Sequence, residues 1–177
     1  SLSKFLIENF NLSEGKDYQK YGIGLKELWE IKEENHSEGL VDHSMGWPLS
    51  EGTSGGSFLY HFDKNLVSIG YVIHLNYTNP YVSPFDEFQQ FKTHPSVKRI
   101  LSGGKRISYG ARAVTTGGYQ SVPKLYFPGG ALIGCSAGFL NYPKIKGTHN
   151  AMDSGILAAE AIVENFISSN QGNDLKN

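Results

Sequence analysis

The chain has 177 residues, 39% apolar and 12% aromatic, with a formal net charge of -1. That length suits one ordinary domain or two small ones, and the apolar share is enough to bury a core. Near-neutral charge without a basic field points away from nucleic acid, and the single cysteine, Cys135, excludes an intramolecular disulfide or a cysteine-built metal site within the chain while fitting a reducing compartment.

The opening "SLSKFLIENF" predicts a short amphipathic helix with Leu2, Phe5, Leu6 and Phe10 on one side. Polar "NLSEGKDYQK" reads as a loop. "YGIGLKELWEI" alternates at Ile23 and Leu25 and then shifts to Leu28, Trp29 and Ile31, which predicts a strand with an irregularity near its middle. "EGLVDHSMGWPLS" predicts a short strand and a Trp-Pro turn. "SGGSFLYHFDKNLVSIGYVIHL" predicts a hairpin turning at "DKN".

From Pro84 the period changes. "SPFDEFQQF" puts Phe85, Phe88 and Phe91 at helical spacing, His94-Pro95 interrupts, and "SVKRIL" forms a second short helix stopped by Gly103-Gly104. The three phenylalanines at this spacing read first as core, with an apolar face at a membrane surface as the alternative. "KRISYGARAVTTGG" returns to strand, and "KLYFPGGALIGC" holds two short strands about Pro-Gly-Gly, the second of them buried. Residues 150–166 predict a long helix, with Ala151, Gly155, Ala159, Ile162 and Phe166 as its buried stripe beside Met152, Ile156, Val163 and Ile167; the tail from Ser168 is expected to fray. The longest uncharged run, 125–143, approaches the length of a membrane span. Its four glycines and two prolines prevent it from satisfying its backbone as one helix in lipid, which leaves peripheral attachment open.

The stretch "GCSAGFLNYPKIKGTHNAMDSG", 134–155, carries the chemistry. A strand ends at Gly134, Gly138 and Gly147 follow, Thr148 is placed as N-cap, and the helix begins. Its first turn, His149-Asn150-Ala151, holds no acid. A helix N-terminus carries roughly half a positive charge and N–H groups without intrahelical acceptors, so these donors suit a ligand acceptor. Gly155, Ala158 and Ala159 let the helix approach its neighbours. A flavin fits such a crevice, because reduction builds negative charge at its N1 and C2-carbonyl edge. The plain alternative is a strand-loop-helix packing unit with glycines as turns.

"GGALIGCSAGFLNYPKIKGTHNAMDSGILAAEAI" closely resembles the second flavin-binding motif of the electron transfer flavoprotein–ubiquinone oxidoreductase family, and "YGIGLKELWEI", "HSMGWPL", "GGSFLYH" and "GARAV" resemble it in the same order, from Tyr21 to Ile167. The resemblance implies an α+β or α/β chain: part of an FAD/NAD(P)-binding (glutathione-reductase-like) flavoprotein fold with a β-sheet quinone-binding domain. It divides the chain into 1–20, the end of a preceding FAD-domain segment; 21–116, a β-rich ubiquinone-binding domain with a helical insert; and 117–177, the C-terminal part of the FAD domain. It places Gly134, Cys135, Gly138, Gly147, Thr148, His149 and Asn150 at FAD. Many flavoproteins carry an acid after the glycine of "IGD"; Cys135 stands there, a poor acceptor, in the "IGCS" variant of this family, and it also reads as a small buried hydrophobe. His149 lines the flavin site through its backbone N–H. Lys144 and Lys146 face cofactor phosphate or solvent.

In the resembled family a Gly-Gly pair meets the quinone head group through its backbone, which implies Gly55 and Gly56. A missing side chain lets a planar ring approach the amides. Such a pair also serves as a bulge or turn in a strand, and Ser54 stands where the family often has an aromatic residue. His36, His43, His61, His74 and His94 show no metal-ligand spacing and read as surface or core.

The implied activity is electron transfer from reduced electron transfer flavoprotein to ubiquinone through FAD and a 4Fe-4S cluster whose ligands lie outside this chain. The implied site is peripheral, on the bacterial cytoplasmic membrane or the matrix side of the mitochondrial inner membrane. No residue is needed as acid or nucleophile. The alternatives are an FAD-dependent reductase of the geranylgeranyl-reductase or FixC type and a non-catalytic β-rich binding module. The "GIG" at Gly22–Gly24 lacks the third glycine and helix of a dinucleotide turn. The chain therefore reads as a middle segment of a longer protein. The 177-residue chain is expected to lose FAD on gel filtration and to carry no iron; a flavin spectrum surviving the column, or stoichiometric iron by elemental analysis, contradicts this.

Overall fold

The computed structural model of the chain describes residues 2–141 and 146–174, with side chains followed to residue 168. Lys144 lies outside the described residues. The chain clusters into two compact units: Tyr21–Val114, and the first twenty residues with those from Thr115 onward.

In the first unit, β1 (Tyr21–Glu30), β2 (Val41–Met45), β3 (Gly55–Phe62), β4 (Leu66–His74) and β5 (Lys105–Thr115) form a sheet in the order β2-β3-β4-β1-β5. The β1–β4, β2–β3 and β3–β4 pairs are antiparallel. The β3–β4 hairpin turns where the sequence predicts. Asp63 and Asn65 there take positive φ (50° and 60°), a conformation that short polar side chains tolerate. β4 is the centre: Val67, Ile69, Tyr71 and Ile73 are fully buried on one face. Opposite them stand Trp29, Glu27, Leu25 and Ile23 of β1, and His61, Leu59, Ser57 and Gly55 of β3.

β1 has no irregularity. Its pairing with β4 runs unbroken from Gly22↔His74 to Glu30↔Leu66. The apparent shift in hydrophobic phase arises because an inward position, between Leu25 and Trp29, is an acid. Glu27 is 3% exposed. Lys92 Nζ donates to both its oxygens (2.9 and 2.8 Å), Arg106 Nη1 donates to Oε1 (3.0 Å) and Trp29 Nε1 donates to Oε2 (2.8 Å). The carboxylate's lone pairs are thus taken up by three side chains from three elements.

α2 (Pro84–Phe91) and α3 (Pro95–Leu101) cover this face with Phe88, Phe91, Val97 and Leu101, which join β4 in one core cluster. α2 starts where Ser83 Oγ accepts from the Asp86 N–H (3.3 Å), with Pro84 already at helical φ. Phe88 and Phe91 are core; Phe85 is exposed. The membrane-face alternative therefore loses two of its three residues, because α2 spends that face on the sheet.

In the second unit, α1 (Leu2–Asn9) precedes the hairpin β6 (Tyr126–Phe127) and β7 (Gly130–Ala131), the single turn α4 (Gly134–Ala137) and the long α5 (Thr148–Asp174). Leu12, Leu132 and Ala137 form its buried cluster, with Ile7, Leu125, Phe127 and Phe139 against it. Four expectations change here. The inward residue of α1 is Ile7, while Leu2, Phe5 and Phe10 are exposed. "ALIGC" is not a buried strand: β7 is two exposed residues and the chain coils into α4 at Gly134. α5 begins at Thr148 and runs to Asp174. Its stripe is not buried: Ala159, Ile162 and Phe166 are exposed, as are Met152, Ile156, Val163 and Ile167, and the half-buried side is Ala151, Ser154, Gly155 and Ala158. An apolar helical face is buried only if something lies against it, and among the described residues nothing does.

Burial alone would raise the Glu27 carboxyl; the hydrogen bonds from Lys92, Trp29 and Arg106, with the Lys92 charge, outweigh it and hold the group below its ordinary 4.5. A depressed carboxylate stabilises the fold above its unfolded value, and that contribution disappears as pH falls through the folded value. E27A is expected to lower unfolding free energy by about 3–5 kcal/mol near pH 7, because it leaves Lys92 buried without its partner. E27Q should also flatten the acid limb of stability below about 4.5. Urea titrations across that range measure both, and an E27A midpoint equal to wild type contradicts the account.

Candidate functional site

The turn at Gly134 and the start of α5 are built together. Gly134 has φ +54°, and a Cβ there would stand 3.2 Å from Ala151 Cβ, so α4 and α5 meet at small residues only. The Gly134 N–H donates to Ser154 Oγ (3.0 Å), and Ser154 Oγ–H donates to the Ala151 carbonyl (2.8 Å). Asn150 Nδ2 donates to the Phe139 carbonyl (2.9 Å). Gly138 closes α4 at φ +87°, with Gln19 Nε2 only 2.8 Å from where its Cβ would be. Asn141 and Lys146 exchange backbone hydrogen bonds (2.8 and 3.2 Å), which closes the loop before α5.

The first intrahelical bond of α5 runs from the Ala151 N–H to the Gly147 carbonyl (2.9 Å), so Gly147, not Thr148, is the N-cap position. The N–H groups of Thr148, His149 and Asn150 precede that bond and have no acceptor within the helix. No acid lies in this first turn. The expected residues divide by what they do. Thr148, His149 and Cys135 are exposed side chains. Gly134, Gly138, Gly147 and Asn150 shape the backbone: the Gly134 N–H and the Asn150 amide are already committed to Ser154 and Phe139. Cys135 is not a buried hydrophobe, because it lies on the outside of the α4 turn. Ser154 and Gln19 were not singled out in the sequence. Ser154 is a polar residue on the alanine-rich side of α5, which is the available signal; Gln19 has none.

Gly55 and Gly56 open β3 in regular pairing with Ile73 and Val72, so they form neither a bulge nor a turn. A Cβ on Gly55 would meet the Val72 carbonyl oxygen at 2.4 Å and Leu49 Cδ1 at 2.6 Å; one on Gly56 would meet the Ser44 carbonyl oxygen at 2.6 Å. The backbone here is bare because its neighbours close on it. The Gly55 carbonyl accepts from the Gly46 N–H (3.4 Å). Two residues along β3 from Gly55, Ser57 lines a cavity of about 210 Å³ whose wall also holds Met45, Trp47, Leu59 and Phe91 together with Asp42, Ser44 and His94. The two serine hydroxyls are 2.6 Å apart, which places polar atoms on a mostly apolar wall. His61 and His74 are buried and His43 and His94 exposed; among the described residues no three His, Cys, Asp or Glu side chains gather as for a metal.

One unit thus carries a bare strand backbone at the head of β3, and the other an acid-free helix start. The fold is shared with a solved flavin-dependent brominase, Bmp2, at TM-score 0.62 and 20% identity, covering 89% of this chain and 41% of that one. Residues 21–114 match the family described as "ETF-QO, ubiquinone-binding". The chain is 55% identical over 173 residues to the electron transfer flavoprotein-ubiquinone oxidoreductase of Pseudomonas aeruginosa, covering 98% of this chain and 31% of that protein. It is 60% identical over 171 residues to the human mitochondrial protein of the same name, covering 96% and 28%. The chain belongs to the electron transfer flavoprotein–ubiquinone oxidoreductase family, and it spans about three-tenths of the length of these relatives.

If the bareness of these backbones is required by packing, G55A should lower stability by about 1–3 kcal/mol through overlap with Val72 and Leu49. G138A should cost about 1–3 kcal/mol from its left-handed backbone. Urea midpoints read both; a G55A variant as stable as wild type contradicts the packing account.

Proposed function

We propose that the protein to which this chain belongs takes electrons from reduced electron transfer flavoprotein and passes them to ubiquinone. The carrying observation is Gly55–Gly56. Within the region matched as ubiquinone-binding, these residues present a backbone that cannot bear a side chain, next to a slot walled by Met45, Trp47 and Phe91. A quinone ring needs a flat apolar bed and an N–H or hydroxyl donor for its carbonyls. The Ser44 and Ser57 hydroxyls bond each other (2.6 Å), which leaves one O–H of the pair as a donor of that kind.

The residues around α5 fit one edge of FAD. The Thr148, His149 and Asn150 N–H groups point along the helix axis toward an acceptor, and no acid competes for them. Gly134, Gly138 and Gly147 keep the approach free of side chains, while Ser154 and Asn150 hold that backbone in place. Cys135 and His149 line the rim. When bound, FAD supplies the two-electron carrier between the protein donor and the quinone. The chain contributes placement: a positive helix end where negative charge develops, and a bed for the acceptor. On this reading, 1–20 and 117–177 are pieces of an FAD/NAD(P)-binding (glutathione-reductase-like) domain and 21–116 is the quinone-binding domain. The 4Fe-4S cluster belongs to the rest of the protein.

A lipid-soluble acceptor places the protein at a membrane surface, on the bacterial cytoplasmic membrane or the matrix side of the mitochondrial inner membrane. Among the described residues no helix is long and apolar enough to cross a membrane.

The test uses the complete polypeptide, purified with its flavin. Reduced electron transfer flavoprotein should bleach that flavin, and a short-chain ubiquinone should restore its colour. Substituting Gly56 by alanine should slow the second step and spare the first. A flavin that the donor protein cannot reduce, or that reoxidises with oxygen but with no quinone, overturns the assignment.

A further inference from the structure

Gln19 stands in the second unit, in the segment that leads into β1, and its side chain is tied at one end only. Its Oε1 accepts from the Gly117 N–H (2.9 Å) and the Lys20 N–H (3.1 Å). Two N–H donors settle which branch of the amide is the oxygen, so the NH2 group takes the other branch. The backbone around it is tied down as well. The Asp17 N–H donates to the Gln120 carbonyl (3.0 Å), the Thr116 N–H to the Lys20 carbonyl (2.8 Å), and Ser121 Oγ–H to the Tyr18 carbonyl (3.1 Å). Residues 17–20 and 116–121 therefore brace one another, and the Gln19 amide is anchored in that brace by its oxygen.

The nitrogen end meets the candidate flavin site. Nε2 lies 2.8 Å from where a Cβ on Gly138 would stand, so the amide occupies space that this bare, left-handed residue leaves (φ +87°). The next residue, Phe139, accepts through its carbonyl from Asn150 Nδ2 in the first turn of α5 (2.9 Å). The Gln19 amide and the start of α5 thus adjoin the same short stretch of backbone, 138–139. Gln19 is half-buried, and its Nε2 makes no hydrogen bond among the described residues. An amide nitrogen carries two donors, and leaving both unmade away from water is unfavourable. The brace does not need them: a carboxylate oxygen in this place would accept the same two N–H groups. What the amide adds over a carboxylate is a donor, and that donor stands at the turn before α5.

We propose that Gln19 donates from Nε2 to the pyrimidine edge of the FAD ring, an assignment that rests on the flavin reading above. The acceptors on that edge are the C2 carbonyl and N1, where a flavin gathers negative charge on reduction. The N–H groups at the start of α5 serve the same edge, so the side chain and the helix act on one acceptor group. A hydrogen bond strengthens as its acceptor becomes anionic, so the Gln19 donor holds the reduced ring more tightly than the oxidised one. It fixes the ring against the 138–139 backbone and raises the potential at which the ring takes up electrons. Gln19 thereby has two separable tasks: its oxygen holds the chain, and its nitrogen holds the cofactor.

The experiment compares wild type, Q19E and Q19M in the complete polypeptide. It measures FAD dissociation, the flavin midpoint potential and the urea midpoint of the flavin-stripped protein. Q19E keeps an acceptor for the Gly117 and Lys20 N–H groups and removes the donor; Q19M removes both. Q19E is expected to raise the FAD dissociation constant roughly tenfold or more and to move the flavin potential to a more negative value, with a urea midpoint close to wild type. Q19M is expected to lower the urea midpoint as well. The proposal is overturned if Q19E binds FAD as tightly as wild type, or if its flavin potential is unchanged or more positive. It is also overturned if Q19E loses FAD only together with the same fall in urea midpoint as Q19M, the result expected of a brace alone. A wild-type protein that takes up no FAD overturns the flavin reading and this one with it.

Discussion

The buried carboxylate of Glu27 is the constraint on which the unit Tyr21–Val114 depends. It stands in the centre of an otherwise apolar sheet face, and it is kept there only because Lys92, Arg106 and Trp29 all donate to it. Lys92 follows α2, Arg106 lies on β5 and Trp29 on β1, so a single acceptor joins a helix and two strands. Apolar packing is indifferent to small slides of a helix along a sheet; a carboxylate held by three donors is not. The seat of α2 over the sheet follows from it, and with it the place of Phe91 on Tyr71.

The second unit is organised by small residues rather than by charge. Gly134 meets Ala151, Gly138 meets Gln19, and Ser154 accepts the N–H that the turn into α4 leaves over. These contacts fix where the backbone of α4 stands against α5. They leave the first turn of α5 without competing side chains, which is the condition for an acceptor to use its amides. The two units thus arrive at a similar surface, bare backbone, by different means: neighbouring strands crowding Gly55 and Gly56, and a close helix contact at Gly134.

The apolar side of α5, with Ile156, Ile162, Val163 and Phe166, faces outward, and β5 is exposed along most of its length. Periodicity marked the stripe of α5 as apolar; burial depends on what lies against the helix, and periodicity does not report that.

Local patterns were enough to locate the hairpin turn at 63–65, the α2–α3 pair and its stop at Gly103-Gly104, because alternation, prolines and glycines act within a few residues. The glycines of the candidate site were also legible, and so was the acid-free start of the last helix. What the sequence by itself determined is which segments coil, extend or turn, and where side chains are missing. What only the tertiary structure decided is the use of the polar exceptions. Glu27 disturbed the reading of β1 because two of its three donors, Lys92 and Arg106, come from residues distant in the chain. Charges and hydrogen bonds act through space, so a buried acid acquires its meaning only when the fold sets its neighbours around it.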